Sequence, residues 1–379
     1  MTTTAVDTTR TATDWIALAR QIGQNLSPGV AERDRTGDIA EDAYDLLRTA
    51  GLTAALVPTE FGGGGATHQE MGAVLRELGR HDPSTAVAFA MHSHLVAAQV
   101  WRHHHGIDAT PVFTKVAAGA ILVSTGASDW VDSNGRASRV AGGFRVSARK
   151  APASGCEVGT VLVTSIRWDD APEGPQVLHC AIPRSANGVR IERTWDTLGL
   201  RASGSHTVVF DEVFVPDAAV SMVRPVGVWP PVLNVVIGAA MPLVMAACLG
   251  IADGAIESAA LLVADRTDPH TFQLAGEMTN AHTTAADLIA AMFTDSDNLR
   301  FDNTDAYAAR TLSRKTVAAE ALISAVRFAI DTVGGLGYSR TCDIEMRYRD
   351  VHGSLFHPLP RAKQTRFSGR VLLGHSPIG

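Results

Sequence analysis

The side chains able to do chemistry fall into a few groups, and their spacing limits what each can do. Four cysteines, Cys156, Cys180, Cys248 and Cys342, stand far apart with no Cys-x-x-Cys pair. Neither a disulfide framework nor a zinc site is indicated. His103, His104 and His105 are contiguous and cannot share one helix face, because only residues three or four apart do. They read as a solvated helix end rather than a metal site, and no metal is expected elsewhere. His92 lies in the segment AFAMHSHL. On an apolar helix face it is either a satisfied core residue or an acid–base group, since a free imidazole titrates at about 6.5. His352 and His357 lie in a final stretch, residues 352–379, that holds no aspartate or glutamate. Gly334-Gly335-Leu336-Gly337 is either a helix break or a point of close backbone approach.

The elements that must position these groups follow from periodicity. Residues 1–12 are Thr-rich and are expected to be disordered. Over residues 13–117 apolar side chains recur at helical spacing, as in Trp15, Ile16, Leu18, Ala19, Ile22 and Leu26. Short helices are expected at 43–50, closed by Gly51, at 68–79 and at 84–103. Between the first two of these, LVPTEFGGGG must be a loop. Over residues 118–218 the period becomes two. AILVS, GFRVSARK, TVLVTSI, QVLHCAIP and HTVVFDEVFVP read as strands bounded by Gly, Pro and Asp. Helical spacing returns over residues 219–379, with long helices at 246–264 and 310–333 and a short one near the end. The fold class is α+β: an N-terminal helical domain, a central β-barrel-like domain and a C-terminal four-helix bundle.

Composition narrows the function classes. The chain has 379 residues, 46% hydrophobic and 19% charged, with a net charge of −6. That is ample for a large core and excludes wholesale disorder. An acidic chain without a basic block is a poor nucleic-acid binder. Residues 232–251, VLNVVIGAAMPLVMAACLGI, approach the length of a membrane span. Asn234 and Pro242 interrupt them, so a buried helix is the expectation. The start shows no apolar targeting segment, and a cytoplasmic enzyme with no membrane contact is the default.

Three stretches carry a family resemblance. They are VPTEFGGGG at 57–65, WDTLGLRASGSHTVVFDEVFVP at 195–216 and FAIDTVGGLGYSRTCDIEMRYRDV at 328–351. In that order and spacing the chain resembles the acyl-CoA dehydrogenase superfamily of flavoproteins. The resemblance covers nearly the whole length. It implies a homo-oligomer, tetramer or dimer, with flavin between the β-domain and the C-terminal bundle.

Two chemistries occur in such proteins. A thioester dehydrogenase needs a carboxylate within reach of the substrate α-proton. Most family members supply it as a glutamate shortly after the Arg-Asp helix, where this chain reads SLFHPLP. The alternative place, residues 228–249, also holds no acid. The other chemistry is monooxygenation, in which reduced flavin from a separate reductase reacts with O2. Those members carry a Ser-Gly-Cys segment and a C-terminal histidine. Here the resemblance assigns Ser154 of ASGCEVG as a donor toward flavin N5 and His357 as the group steering oxygen or substrate. The expected activity is monooxygenation of a small organic substrate. The alternative is acyl-CoA or acyl-carrier dehydrogenation with His357 or His92 as an unusual base. A non-catalytic binding protein is the third reading.

By the same resemblance, Leu122, Ser124 and Thr125 of LVST and Pro152 and Ser154 of KAPAS contact the flavin. Arg266 takes the place of a phosphate-contacting arginine, and Gly334 and Gly335 admit a neighbouring subunit's cofactor. The altered spacing after Arg266 leaves FAD and FMN both open.

Overall fold

A computed structural model describes residues 13–126 and 129–379; the tip expected at 1–12 lies outside the described residues. Six helices come first: α1 (Trp15–Leu26), α2 (Val30–Thr36), α3 (Glu41–Thr49), α4 (His68–His81), α5 (Pro83–His104) and α6 (Thr110–Ala117). Their ends are set locally. Thr67 and Glu70 form a reciprocal capping box at the start of α4. Asp82 accepts the Thr85 N–H at 3.0 Å to start α5. Gly51, in the left-handed region at φ 75°, follows the end of α3.

Eight strands follow: β1 (Leu122–Ser124), β2 (Arg136–Val140), β3 (Gly143–Lys150), β4 (Val161–Trp168), β5 (Gln176–Pro183), β6 (Val189–Glu192), β7 (Thr207–Pro216) and β8 (Val220–Pro225). They form two four-stranded sheets, ordered β1-β4-β5-β8 and β2-β3-β7-β6. All pairings are antiparallel except β1 with β4. Phe144, Val146, Leu162, Ile166, Leu178, Val208 and Phe210 fill the space between the sheets. Three of the eight, β2, β6 and β8, are not in the segments expected from sequence. Exposed arginines in β2 and β6, and the buried Arg224 at an otherwise half-exposed β8, hide the apolar alternation that half-buried strands show.

The last region holds α7 (Val232–Leu262), α8 (Pro269–Ser296), α9 (Asp305–Val333), α10 (Asp343–Val351) and α11 (Arg361–Leu372). α7 starts 14 residues before the expected 246 and runs straight through Pro242. It is apolar on every side, and 94% of its most apolar window is buried in the protein, so tertiary burial outweighs the lost backbone hydrogen bond. α7 crosses α4 at backbone contact. A Cβ on Gly250 would meet the Arg76 carbonyl oxygen at 2.0 Å, and one on Gly79 the Ala247 carbonyl oxygen at 2.3 Å. α9 packs on both α7 and α8, and the short α11 closes the bundle against α9.

Burial leaves a pH signature. It pushes His68, His92, His94 and His179 down to about 4 and His357 down to about 3. Unfolding returns them to about 6.5, so the unfolded chain takes up protons that the folded chain refuses. Their contribution is complete above pH 6.5 and is lost as pH falls from there toward the folded values. Asp350, pushed up to about 7 by burial, acts in the opposite sense and offsets one of the five. The thermal midpoint is therefore expected to fall steadily between about pH 6.5 and pH 4. A flat melting profile over that range would contradict it.

Candidate active site

The first six helices, the sheets and the last five helices meet around one cavity of about 1050 Å³, at the upper end of the range for small-molecule sites. Its wall is mostly apolar and aromatic. Trp130, Trp195 and Trp229 line it together with Phe356 and Phe367. Trp130 and Trp229 stack at 5.7 Å between centroids, and Phe367 meets Trp229 edge-on at 5.0 Å.

Each wall segment is fixed by a buried polar contact. The loop bearing Trp130 is clamped by Lys150, only 1% exposed, whose ammonium donates to Asp129 at 2.6 Å and Ser133 at 2.9 Å. The Arg224 guanidinium donates to the Asp129 and Val131 carbonyls, both at 3.1 Å. Trp195 is set by His206, whose Nδ1 accepts the Thr194 and Trp195 N–H groups at 3.2 and 3.1 Å. The 197–200 loop is held from α10. Arg349, paired with Asp34 and Glu345 at 2.7 Å each, donates to the Leu198 carbonyl at 3.1 Å. Asp350 accepts the Leu200 N–H at 2.5 Å.

Ser154 lies in the turn after β3, zipped to the approach of β7 by the Ala153 and Gly155 N–H groups. Three hydroxyls run in series there. Ser203 and Ser205 lie 2.7 Å apart, and Ser205 donates to Ser154 at 2.8 Å. Because Ser154 accepts from Ser205, its own proton is free to be donated into the cavity.

The helix α5 presents Val87, Met91 and His94 to the cavity at four- and three-residue spacing. His94 donates from Nδ1 to the Ala90 carbonyl at 3.2 Å. Its Nε2 is therefore a bare acceptor, and burial keeps the ring neutral. His357 lines the cavity from the segment between α10 and α11. Burial first, then the Lys315 ammonium and His94, hold it well below the usual imidazole range. Asp132 is the one acidic side chain lining the cavity among the described residues, and it is paired with Arg167 at 2.6 Å. No acidic side chain of the wall is therefore free to take a proton.

The residues expected from sequence separate accordingly. Ser124, Pro152, Ser154 and His357 line the cavity. His92 does not, and its expected catalytic role is corrected. It faces the other side of α5, donating from Nε2 to the Thr53 carbonyl at 2.8 Å and accepting the Leu122 N–H on Nδ1 at 3.0 Å. With both nitrogens occupied it is a peg between α5 and β1. Leu122 and Thr125 are also off the cavity. Leu122 is held by that peg, and the Thr125 hydroxyl is bonded to the Val163 carbonyl at 3.2 Å. Arg266 donates to the Thr332 and Val333 carbonyls at 3.0 and 3.1 Å, capping α9. Gly334 follows in the left-handed region at φ 80°, beside Gly335, away from the cavity lining. His94, Ser203, Ser205 and the tryptophans were not singled out from sequence. Only the eight-residue run from Val87 through Met91 to His94 marks the face of α5.

Residues 14–106 match the acyl-CoA dehydrogenase N-terminal domain. Over 96% of this chain and 94% of the other, the structure superposes on KijD3 in complex with FMN and dTDP-3-amino-2,3,6-trideoxy-4-keto-3-methyl-D-glucose, with a TM-score of 0.85 and 26% identity. The chain therefore has the fold of the acyl-CoA dehydrogenases, and its first helical region matches their N-terminal domain. It is 29% identical over 200 residues to the probable FMNH2-dependent monooxygenase SfnC of Pseudomonas putida, covering 53% of this chain and 50% of that one. It is 29% identical over 217 residues to dibenzothiophene monooxygenase of Rhodococcus erythropolis, covering 54% and 50%. The matched region thus spans about half the length of these two relatives.

Replacing His92 by Phe strands the Thr53 carbonyl and the Leu122 N–H. It is expected to cost about 2–4 kcal/mol of stability, read by denaturant unfolding, with little change in affinity for oxidised FMN. A variant of wild-type stability with lost FMN binding would put His92 back in the site.

Proposed function

We propose that the protein is a flavin-dependent monooxygenase that takes reduced flavin from a separate reductase and uses O2 to oxygenate a small organic substrate. The observation that carries this reading is the cavity's chemistry: the neutral imidazoles of His94 and His357, an oriented serine proton and no free acidic side chain among the described residues. The carboxylate base on which thioester oxidation relies is not offered by any acidic side chain of this wall. The cavity fits a flavin by its size and by Ser154, whose free proton suits an acceptor nitrogen of the ring. Pro152 beside it leaves a flat face open. FMN is favoured over FAD because KijD3 is described with FMN and SfnC as FMNH2-dependent.

Bound there, reduced flavin supplies two electrons to O2, so that one oxygen atom enters the substrate and the other leaves as water. Ser154 donates its hydrogen bond into the cavity, with its direction set by Ser203 and Ser205. His94 offers an acceptor nitrogen. His357 stands at the cavity wall to orient the substrate and pass a proton. The tryptophans and Phe367 keep bulk water away from the reacting atoms and favour a flat apolar substrate. Arg266, Gly334 and Gly335 are assigned to an interface between copies of the chain. What supports this is the apolar surface beside them, with Leu261 79%, Phe272 60% and Tyr338 86% exposed.

With FMN, a flavin reductase and 18O2, an aromatic heterocycle such as indole is expected to gain one labelled oxygen. His357→Ala is expected to lower kcat about a hundredfold and to divert reducing equivalents to H2O2. Label arriving from water instead of O2 would sink the assignment. Wild-type turnover and coupling in His357→Ala would remove His357 from the reaction.

A further inference from the structure

Lys315 is the least explained charge in the molecule. It sits on α9 with 1% of its surface exposed, and among the described residues no carboxylate pairs with it. A buried ammonium without a counter-ion is costly, and burial pushes its pKa down to about 8. Its hydrogen bonds all run to one place. Nζ donates to the His357 carbonyl at 2.9 Å and lies 3.5 Å from the Leu355 carbonyl. These carbonyls belong to the stretch between α10 and α11, where a single 3-10 turn, His352–Leu355, gives way to residues 356–360 with no ladder or helix to hold them.

We infer that Lys315 is a positioning residue for the cavity: from inside the bundle its ammonium grips the backbone of residues 355–357 and so sets His357 in the wall with a positive charge behind the ring. The inference rests on the reading of His357 as the group that meets the substrate. The charge has a chemical consequence. The groups acting on the imidazole are Lys315 from α9 and His94 from α5, after burial itself. Cys248 of α7 lies behind Lys315 and carries no charge near neutrality, because burial raises its thiol to about 12. His352 is on His357's own side of the cavity and turns its Nδ1 to the Tyr348 carbonyl at 2.6 Å. Lys363 and Arg366 of α11 and Arg349 of α10 line the same cavity, but the cation that acts on the ring is Lys315, and it opposes protonation of His357. A neutral imidazole can accept a proton or a hydrogen bond from the substrate, which an imidazolium cannot.

The test is the titration of His357, followed by NMR of ring-labelled histidine and assigned with His357→Asn. In the unaltered protein the His357 signals are expected to move a second time near pH 8, as Lys315 loses its proton. In Lys315→Met, which keeps the length and apolar character of the stem, the His357 midpoint is expected to rise by about one pH unit or more. Turnover should fall about tenfold or more. Lys315→Gln, which keeps a donor without the charge, is expected to recover part of the turnover but to retain the raised midpoint. A lysine that only fills space would leave the titration unmoved in every variant. Unchanged His357 signals across pH 8 in the unaltered protein would overturn the inference, even if both variants failed to fold. Absence of any flavin-dependent oxygenation would count against the proposed function and leave the titration result standing on its own.

Discussion

Keeping imidazoles neutral inside a largely apolar wall is the constraint on which the rest of this structure depends. Removing a histidine from water penalises its charged form, and here that penalty falls on two of the three histidines lining the cavity, His94 and His357. A carboxylate in the same wall would relieve the penalty by pairing with them. The fold instead ties its nearby carboxylates elsewhere: Asp34 and Glu345 to Arg349, Asp132 to Arg167, Asp350 to the Leu200 N–H. Every one of these ties also anchors a segment of the wall. The electrostatics and the shape of the site are thus one set of contacts.

The serine series shows the same economy of means. A lone serine hydroxyl rotates and points its proton where it can. Ser154 has its lone pair occupied by Ser205, and Ser205 lies against Ser203. The proton is directed because the acceptor side is taken. The backbone that holds these three residues together is the junction between the turn after β3 and the lead into β7. The sheets therefore position chemistry by their ends rather than by their faces.

Much of the architecture was legible in the sequence. The switch from period 3.6 to period 2 and back gave the order of helices, sheets and helices, and the glycine-rich motifs gave the family. β2, RASRV, was not legible because its surface side chains erase alternation. The start of α7 was hidden by Pro242. In the site, the chemical types were readable and their directions were not. His92 and His94 are two residues apart on one helix, so they face different ways. Which of them faces the cavity depends on where Thr53 and Leu122 come to rest. Ser154 and His357, which line the cavity, drew notice because they stand in motif positions. Lys315 lies in a run, TLSRKTVAAE, whose charges read as a solvent face. Nothing local reveals that one of them is turned inward.

The central claim is that the cavity wall has no acidic side chain free to serve as the carboxylate base of thioester oxidation. Anaerobic mixing of the protein, loaded with oxidised flavin, with saturated acyl-CoAs of short to long chain tests it most directly. The account predicts that the flavin's visible absorbance stays unchanged over many minutes. Bleaching with formation of the α,β-unsaturated thioester would contradict it.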